Sequence, residues 1–246
     1  MNKIIFHSNG IKFLKNDNYP EPASKNIPEW YMKANKYIIN PITGDPVLDE
    51  YGGRAPSFKS CPAILDILNT GYVLKTPCDL FFSERNGFPY VNTPSEYKDF
   101  CQSRDIMPEF KIPEGYYENA FHWYPDWGVE LPEGYSAMYL QPLNHYNLPF
   151  LTTSGIIDND KVNTPGLLPF FLRKGFSGIL PAHTPYIQII PFKKEDWQAE
   201  FKLYDEKKTS ERFLKSSNLF RVPGGGVYKK IMSRKKYVWK NKRTNK

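Results

Sequence analysis

At 246 residues, with 16% aromatic residues and 22 prolines, the chain is long enough to bury a core and too rich in rings to be disordered. Its formal charge of +7 is gathered at one end: nine of the 33 basic residues fall in 227–246, which has no acidic residue, and the other 24 meet 26 acidic ones, so the body is nearly neutral. Three scattered cysteines (Cys61, Cys78, Cys101), no apolar run near the ~18 residues of a membrane span, and an N-terminus without a signal-peptide core argue against a disulfide framework, a zinc site and a membrane partner; the expected location is a reducing cytoplasm.

Lys3–His7 and Ile11–Leu14 read as a hairpin about Asn9-Gly10, because Asn-Gly between apolar runs favours a two-residue turn. Residues 16–56 are rich in Pro, Asn and Gly; within them Pro28–Ala34 reads equally as a short helix, with Pro28 at its first position, or as a loop packed by Trp30 and Tyr31. Cys61–Thr70 reads as the clearest helix, with Ser60 as N-cap, Gly71 as left-handed stop, and Ile64, Leu65, Ile67 and Leu68 as its apolar stripe. Strands are expected at Tyr72–Lys75, Leu80–Ser83 and Phe88–Val91, the last two joined by Arg85-Asn86-Gly87, then a short helix near Glu96–Cys101, and strands at Ala120–Trp123 and Ser136–Gln141 across a Pro/Gly-rich link.

The stretch 149–197 carries the densest strand signal. Leu151–Ile157, Leu167–Leu172, Ile179-Leu180 and Tyr186–Ile190 are short β-rich runs separated by Gly, Pro, Asn and Asp, and Ala199–Leu203 continues the pattern. Asp205–Lys215 is expected to be helical, and Pro223-Gly224-Gly225-Gly226 hinges into the tail. Short strands at regular spacing point to an all-β barrel or sandwich.

Asp158 and Asp160 flank one residue in a turn after an apolar strand. Two carboxylates so placed can position a water, a ribose hydroxyl or a Mg²⁺-bound phosphate; equally, Asp-Asn-Asp can cap its own backbone. The four histidines (His7, His122, His145, His183) lack metal-ligand spacing, so no metal is expected and a cupin-type metalloenzyme ranks lowest. In the tail, Lys229, Lys230, Arg234, Lys235, Lys236, Lys240, Lys242 and Arg243, interleaved with Tyr228, Tyr237 and Trp239, suit a polyanion: phosphates for the cations, bases for the rings. Tyr228, Ile231, Met232 and Lys235 also share a face of an amphipathic helix able to dock on an acidic partner, and a solvated tail has the same composition.

Gly155-Ile156-Ile157-Asp158-Asn159-Asp160 resembles the third motif of the dUTPase and dCTP deaminase family, and Gly178–Gln188 resembles its fourth. The resemblance implies a dUTPase-like β-barrel, a pyrimidine deoxynucleotide substrate, Asp158 as the water-activating carboxylate, Gln188 on phosphate and, by extension, a homotrimer. Lys161 stands where the family has a stacking tyrosine, and Gln141-Pro142-Leu143-Asn144 replaces its Pro-Arg-Ser-Gly loop. These departures remove base stacking and most phosphate donors, so the resemblance implies the fold more than the catalysis.

Over most of its length the chain also resembles a family of proteins encoded by tailed phages. Ile27-Pro28-Glu29-Trp30-Tyr31, Lys59-Ser60-Cys61-Pro62, Thr70-Gly71-Tyr72 and the run from Leu180-Pro181-Ala182 to Lys193 carry this likeness, which implies a phage origin and no particular activity. The expectation is therefore a mainly β protein, a distorted dUTPase-like barrel or jelly roll with a few short helices. It would comprise an N-terminal subdomain (1–119), a barrel core (120–204), and a helix, glycine hinge and basic tail (205–246). The leading functional expectation is a non-catalytic phage structural or interaction protein, homo-oligomeric, docking through its tail on other phage proteins or nucleic acid, in the host cytoplasm or the virion. The alternative is a nucleotide-binding enzyme with Asp158 and Asp160 as catalytic residues, Gln188 and Lys161 on the nucleotide, and Mg²⁺ as its only cofactor.

Overall fold

A computed structural model describes residues 2–8, 18–104, 111–164, 166–203, 205–211 and Trp239. These fall into two compact units, one drawn from 2–26 and 71–194, the other from 27–70 and from residues beyond 194. Fourteen strands are found among the described residues, all in the first unit. In chain order they are β1 (Ile5–Ser8), β2 (Glu21–Pro22), β3 (Tyr72–Lys75), β4 (Leu80–Arg85), β5 (Phe88–Asn92), β6 (Cys101–Ser103) and β7 (Tyr116–Trp123). After these come β8 (Trp127–Glu130), β9 (Tyr135–Leu140), β10 (Phe150–Thr152), β11 (Gly155–Ile157), β12 (Leu168–Arg173), β13 (Gly178–Leu180) and β14 (Pro185–Lys193).

Among the described residues the strands pair antiparallel and build four sheets, ordered β1-β8, β10-β12-β7-β6, β11-β9-β14-β3-β2 and β13-β4-β5. The mainly β class is as expected. Of the expected distorted barrel or jelly roll, no closed barrel forms among the described residues, where each sheet keeps two edge strands. One cause lies at Thr153-Ser154, where the expected continuous strand Leu151–Ile157 breaks. β10 joins β12, whereas β11 crosses to β9 in the other sheet, so this segment turns a corner between two open sheets. Pairing also runs across the expected boundary at residue 119, since β3 bonds β14 and β4 bonds β13.

The core is aromatic. β strands bring Phe82, Phe121, Trp123, Phe150, Phe170 and Tyr186 inward, all of them buried. Trp123 stacks on Phe170 with centroids 3.8 Å apart at 11°, Phe121 stacks on Phe170 at 5.3 Å, and Phe82 meets Phe121 edge-on at 5.8 Å. Alternation sends these rings inward because successive strand residues face opposite sides. The Trp123 indole N–H, which burial would otherwise strand, donates to Thr152 Oγ1 at 3.0 Å, and Thr152 donates onward to the Tyr186 carbonyl at 3.0 Å.

Turn chemistry placed several elements as expected. Asn86 and Gly87, both at positive φ (54° and 81°), close the β4–β5 hairpin in the primed-turn geometry that matches strand twist. Gly71 is left-handed at φ 79°, and it serves a second purpose: a Cβ there would overlap the Ile189 carbonyl oxygen and lie 3.0 Å from its carbon. Other expectations shift. The N-cap of the helix at Pro62–Leu68 is Cys61, because Ser60 ends a preceding 3-10 turn and donates its hydroxyl to the Lys36 carbonyl at 2.5 Å. Pro28 is the N-cap of the helix at Glu29–Lys33, not its first residue; Tyr31 is buried and Trp30 packs edge-on against it at 5.7 Å. Instead of a helix near Glu96–Cys101, Ser95–Tyr97 forms a 3-10 turn and Cys101 opens β6. β1 pairs with β8, an unexpected strand within the Pro/Gly-rich link; residues 9–14 of the expected hairpin lie outside the described residues. Residues 206–211 are helical, and 212–215 lie outside the described residues. Among the described residues no helix is long and apolar enough to cross a membrane.

Candidate functional site

Pairing of β11 with β9 sets Asp158 beside Ser136, and pairing of β9 with β14 brings Lys194 to the same end of the sheet. The turn is built by its backbone: the N–H groups of Lys161 and Val162 both donate to the Asp158 carbonyl, at 2.9 and 3.0 Å. Asn159 is buried in it, accepting the Tyr139 hydroxyl at 3.1 Å and donating to the Val162 carbonyl at 3.0 Å. Lys194 Nζ then bridges the acids. It lies 2.8 and 3.0 Å from the two Asp160 oxygens and 3.1 Å from Asp158 Oδ1. Ser136 donates to Asp158 Oδ1 at 2.6 Å, and the Gly134 N–H donates to Asp160 Oδ2 at 3.0 Å. The Asp160 side chain is 4% exposed and that of Asp158 55%. Neither carboxylate caps its own turn; together they tie the β9 entry to the β14 exit.

The Ser136 hydroxyl, with Lys194, holds the Asp158 carboxyl below the ordinary aspartate range, and Lys194 with the Gly134 N–H does the same for Asp160; the acids in turn raise the Lys194 ammonium. Depressed carboxylates stabilise the fold fully above the ordinary value of 3.8, and that contribution is lost as pH falls through their lower folded-state values. The raised lysine stabilises below 10.5, and its contribution is lost as pH rises through its higher folded-state value. Lys194→Met is therefore expected to flatten both the acid and the alkaline limbs of stability against pH, read by urea unfolding across the range. Acid and alkaline limbs as steep as those of the unaltered protein would refute the latch.

Gln188 sits elsewhere. It is 2% exposed, and its Oε1 accepts the Leu143 N–H at 2.9 Å. Gln141 anchors the other end of that loop, accepting the Thr152 N–H at 2.7 Å and donating to the Phe150 carbonyl at 3.2 Å. Gln188 thus grips the loop that stands in place of the expected phosphate loop. Ser136 opposes Phe192 and Leu140 opposes Gln188, so Asp158 and Gln188 are separated by four residues of β9, roughly 14 Å at strand rise. Asp158 and Asp160 come together; Gln188 does not join them. Lys161 is exposed, and its charge is a minor further influence keeping Asp158 ionised.

His122 is buried in β7 with Nδ1 lacking a hydrogen-bond partner; burial, with Arg104 nearby, lowers its basicity. His7 pairs with Glu130 at 2.8 Å and borders a shallow cleft with Ser8, Tyr124, Gly128, Asn163 and Thr164, which none of the expected site residues lines. The three cysteines are free; burial pushes the Cys78 thiol up to about 12. Among the described residues no group of three or more His, Cys, Asp or Glu is placed to hold a metal. The tail cations Lys229, Lys230, Arg234, Lys235, Lys236, Lys240, Lys242 and Arg243 lie outside the described residues. Comparison of the chain with protein-family models, curated proteins and solved structures finds no match.

Sequence reasoning missed Lys194, Ser136 and Gly134. Lys194 follows a strand and Gly134 precedes one, but only the β9–β14 register brings them to Asp160, and register is a long-range property.

Proposed function

We propose that the chain is a phage structural or interaction protein: a non-catalytic β scaffold that reuses dUTPase-like motifs as structural turns, docks through its basic tail on other phage proteins or nucleic acid, and acts in the host cytoplasm or the virion. The observation that carries this reading is the engagement of the candidate catalytic groups by the scaffold itself. Lys194 bridges both carboxylates, and Gln188 is buried against Leu143. A Mg²⁺ at this turn would have to displace the Lys194 ammonium from Asp160, so the acids do not fit the cofactor of a nucleotide hydrolase. The Ser136 and Lys194 contacts to Asp158 Oδ1 also hold its carboxyl below the ordinary range, which makes it a weaker general base.

Two outcomes test this. Incubated with the pyrimidine deoxynucleoside triphosphates, the protein is expected to release neither pyrophosphate nor ammonia above a blank, and Asp158→Asn to behave identically. Turnover that disappears in Asp158→Asn would replace the scaffold with the enzyme. For the tail, removing 227–246 is expected to abolish most polyanion binding. If about six of its cations sit on phosphates, the intact chain should show a log–log salt slope of about −5 that the truncated chain lacks. Equal slopes would reject the tail as the docking element.

A further inference from the structure

The segment after β14 has the pattern of a strand and no sheet. In Trp197-Gln198-Ala199-Glu200-Phe201-Lys202-Leu203 apolar and polar residues alternate strictly, the period of a half-buried strand. The geometry agrees: Lys202 Nζ meets Glu200 Oε2 at 3.0 Å, an i,i+2 pair that lines one face of extended chain. Yet the apolar face is bare. Trp197 is 88% exposed, Phe201 94% and Leu203 101%, and among the described residues no backbone hydrogen bond ties 196–203 to a sheet. Single exposed apolar residues are ordinary; a contiguous stripe with two large aromatics marks an interface.

The same chain carries a second uncovered apolar surface. On the sheet β13-β4-β5, Leu80, Phe82 and Leu180 turn inward and are buried, while the opposite face presents Phe81 with its direct partner Ile179, then Tyr90 and Phe88, all about half exposed. Arg85 lies 5.9 Å over the Tyr90 ring on this face, a cation complementary in charge to Asp196, which immediately precedes the segment.

We infer that 197–203 is an exchanged arm, whose Trp197, Phe201 and Leu203 cover the Ile179–Phe81–Tyr90–Phe88 face of a second copy of this chain. Area favours a second copy over a lone contact. Covering these seven side chains removes on the order of 700 Å² per arm, and two reciprocal arms reach the roughly 1,500 Å² of a standard stable interface. This inference goes beyond the scaffold reading and stands whether or not the scaffold carries a reaction.

Sedimentation velocity on the full chain tests it, supported by mixing. The protein is expected to associate at about 10 µM, and Trp197→Ser with Phe201→Ser to weaken association at least tenfold, as loss of central aromatic anchors does. These side chains are solvent-exposed, so circular dichroism should be unchanged. Phe81→Ser, or Tyr90→Ser should Phe81→Ser fail to fold, is expected to weaken it similarly. An equimolar mixture of arm variant and face variant then regains one of the two arm-on-face contacts, so heteromers are expected at concentrations above those the wild type needs, where neither variant yet associates alone. A wild-type monomer across the concentration range, association indifferent to the arm substitutions, or a mixture with no heteromer would each overturn the proposal.

Discussion

Trp123→Ala is expected to cost about 3–5 kcal/mol of folding stability, enough to unfold a marginal domain at physiological temperature. Trp123 is fully buried and is the hub of the core, stacked on Phe170, tilted against Phe100 and Tyr186, and edge-on to Phe150. Its removal leaves a cavity walled by rings that stiff, paired strands hold in place, so little collapse can refill it. It also leaves the Thr152 hydroxyl without its indole donor in the interior. Trp123→Phe separates the two contributions. It keeps a ring in the stack but loses the N–H and some volume, for an expected cost of about 2 kcal/mol. Equilibrium urea unfolding measures both, and a Trp123→Ala protein within 1 kcal/mol of the wild type would refute the hub.

Gly71→Ala is the second large effect, at about 3 kcal/mol from a single methyl. A left-handed backbone at φ 79° already strains an L-residue by about 1–2 kcal/mol. The added Cβ would in addition run into the Ile189 carbonyl, and that carbonyl cannot swing aside because Ile189 is paired with Tyr72 on one side and Tyr139 on the other. Gly87→Ala is the control: its φ is 81°, but nothing lies within 4 Å of the added carbon. It should lose only the conformational part, about 1–2 kcal/mol. Equal losses at the two glycines would show that the approach of β14 contributes nothing.

What was legible in the sequence is what is decided within a few residues. Asn86-Gly87 announced its hairpin, Gly71 its positive φ, and Tyr72–Lys75 its strand, because each rests on local backbone preference. Trp127–Glu130 was hidden because its surroundings are rich in Pro and Gly, and its partner β1 lies more than a hundred residues away. The break at Thr153-Ser154 was hidden because both halves have strand composition, and only the competing partners β12 and β9 part them. At the candidate site the carboxylates were visible and their meaning was not. Asp158 and Asp160 suggest chemistry when read alone and a latch once Lys194 is beside them. Gln188 in an apolar run does mark a polar task, but that the task is to hold Leu143 follows only from the loop's return to β14.

The sheet order has a consequence for how the chain is made. β3 and β4 are complete by Arg85, yet their partners β14 and β13 begin only at Pro185 and Gly178. At ribosomal rates of 5–20 residues per second, roughly 5–20 s pass between the two. Throughout that interval Tyr72–Lys75 and Leu80–Arg85 have emerged with only a hairpin partner in β5 and the short β2 to shield them. The nascent chain thus keeps these strands short of their partners for about two-fifths of its synthesis and closes late, which favours its being made alongside chaperones.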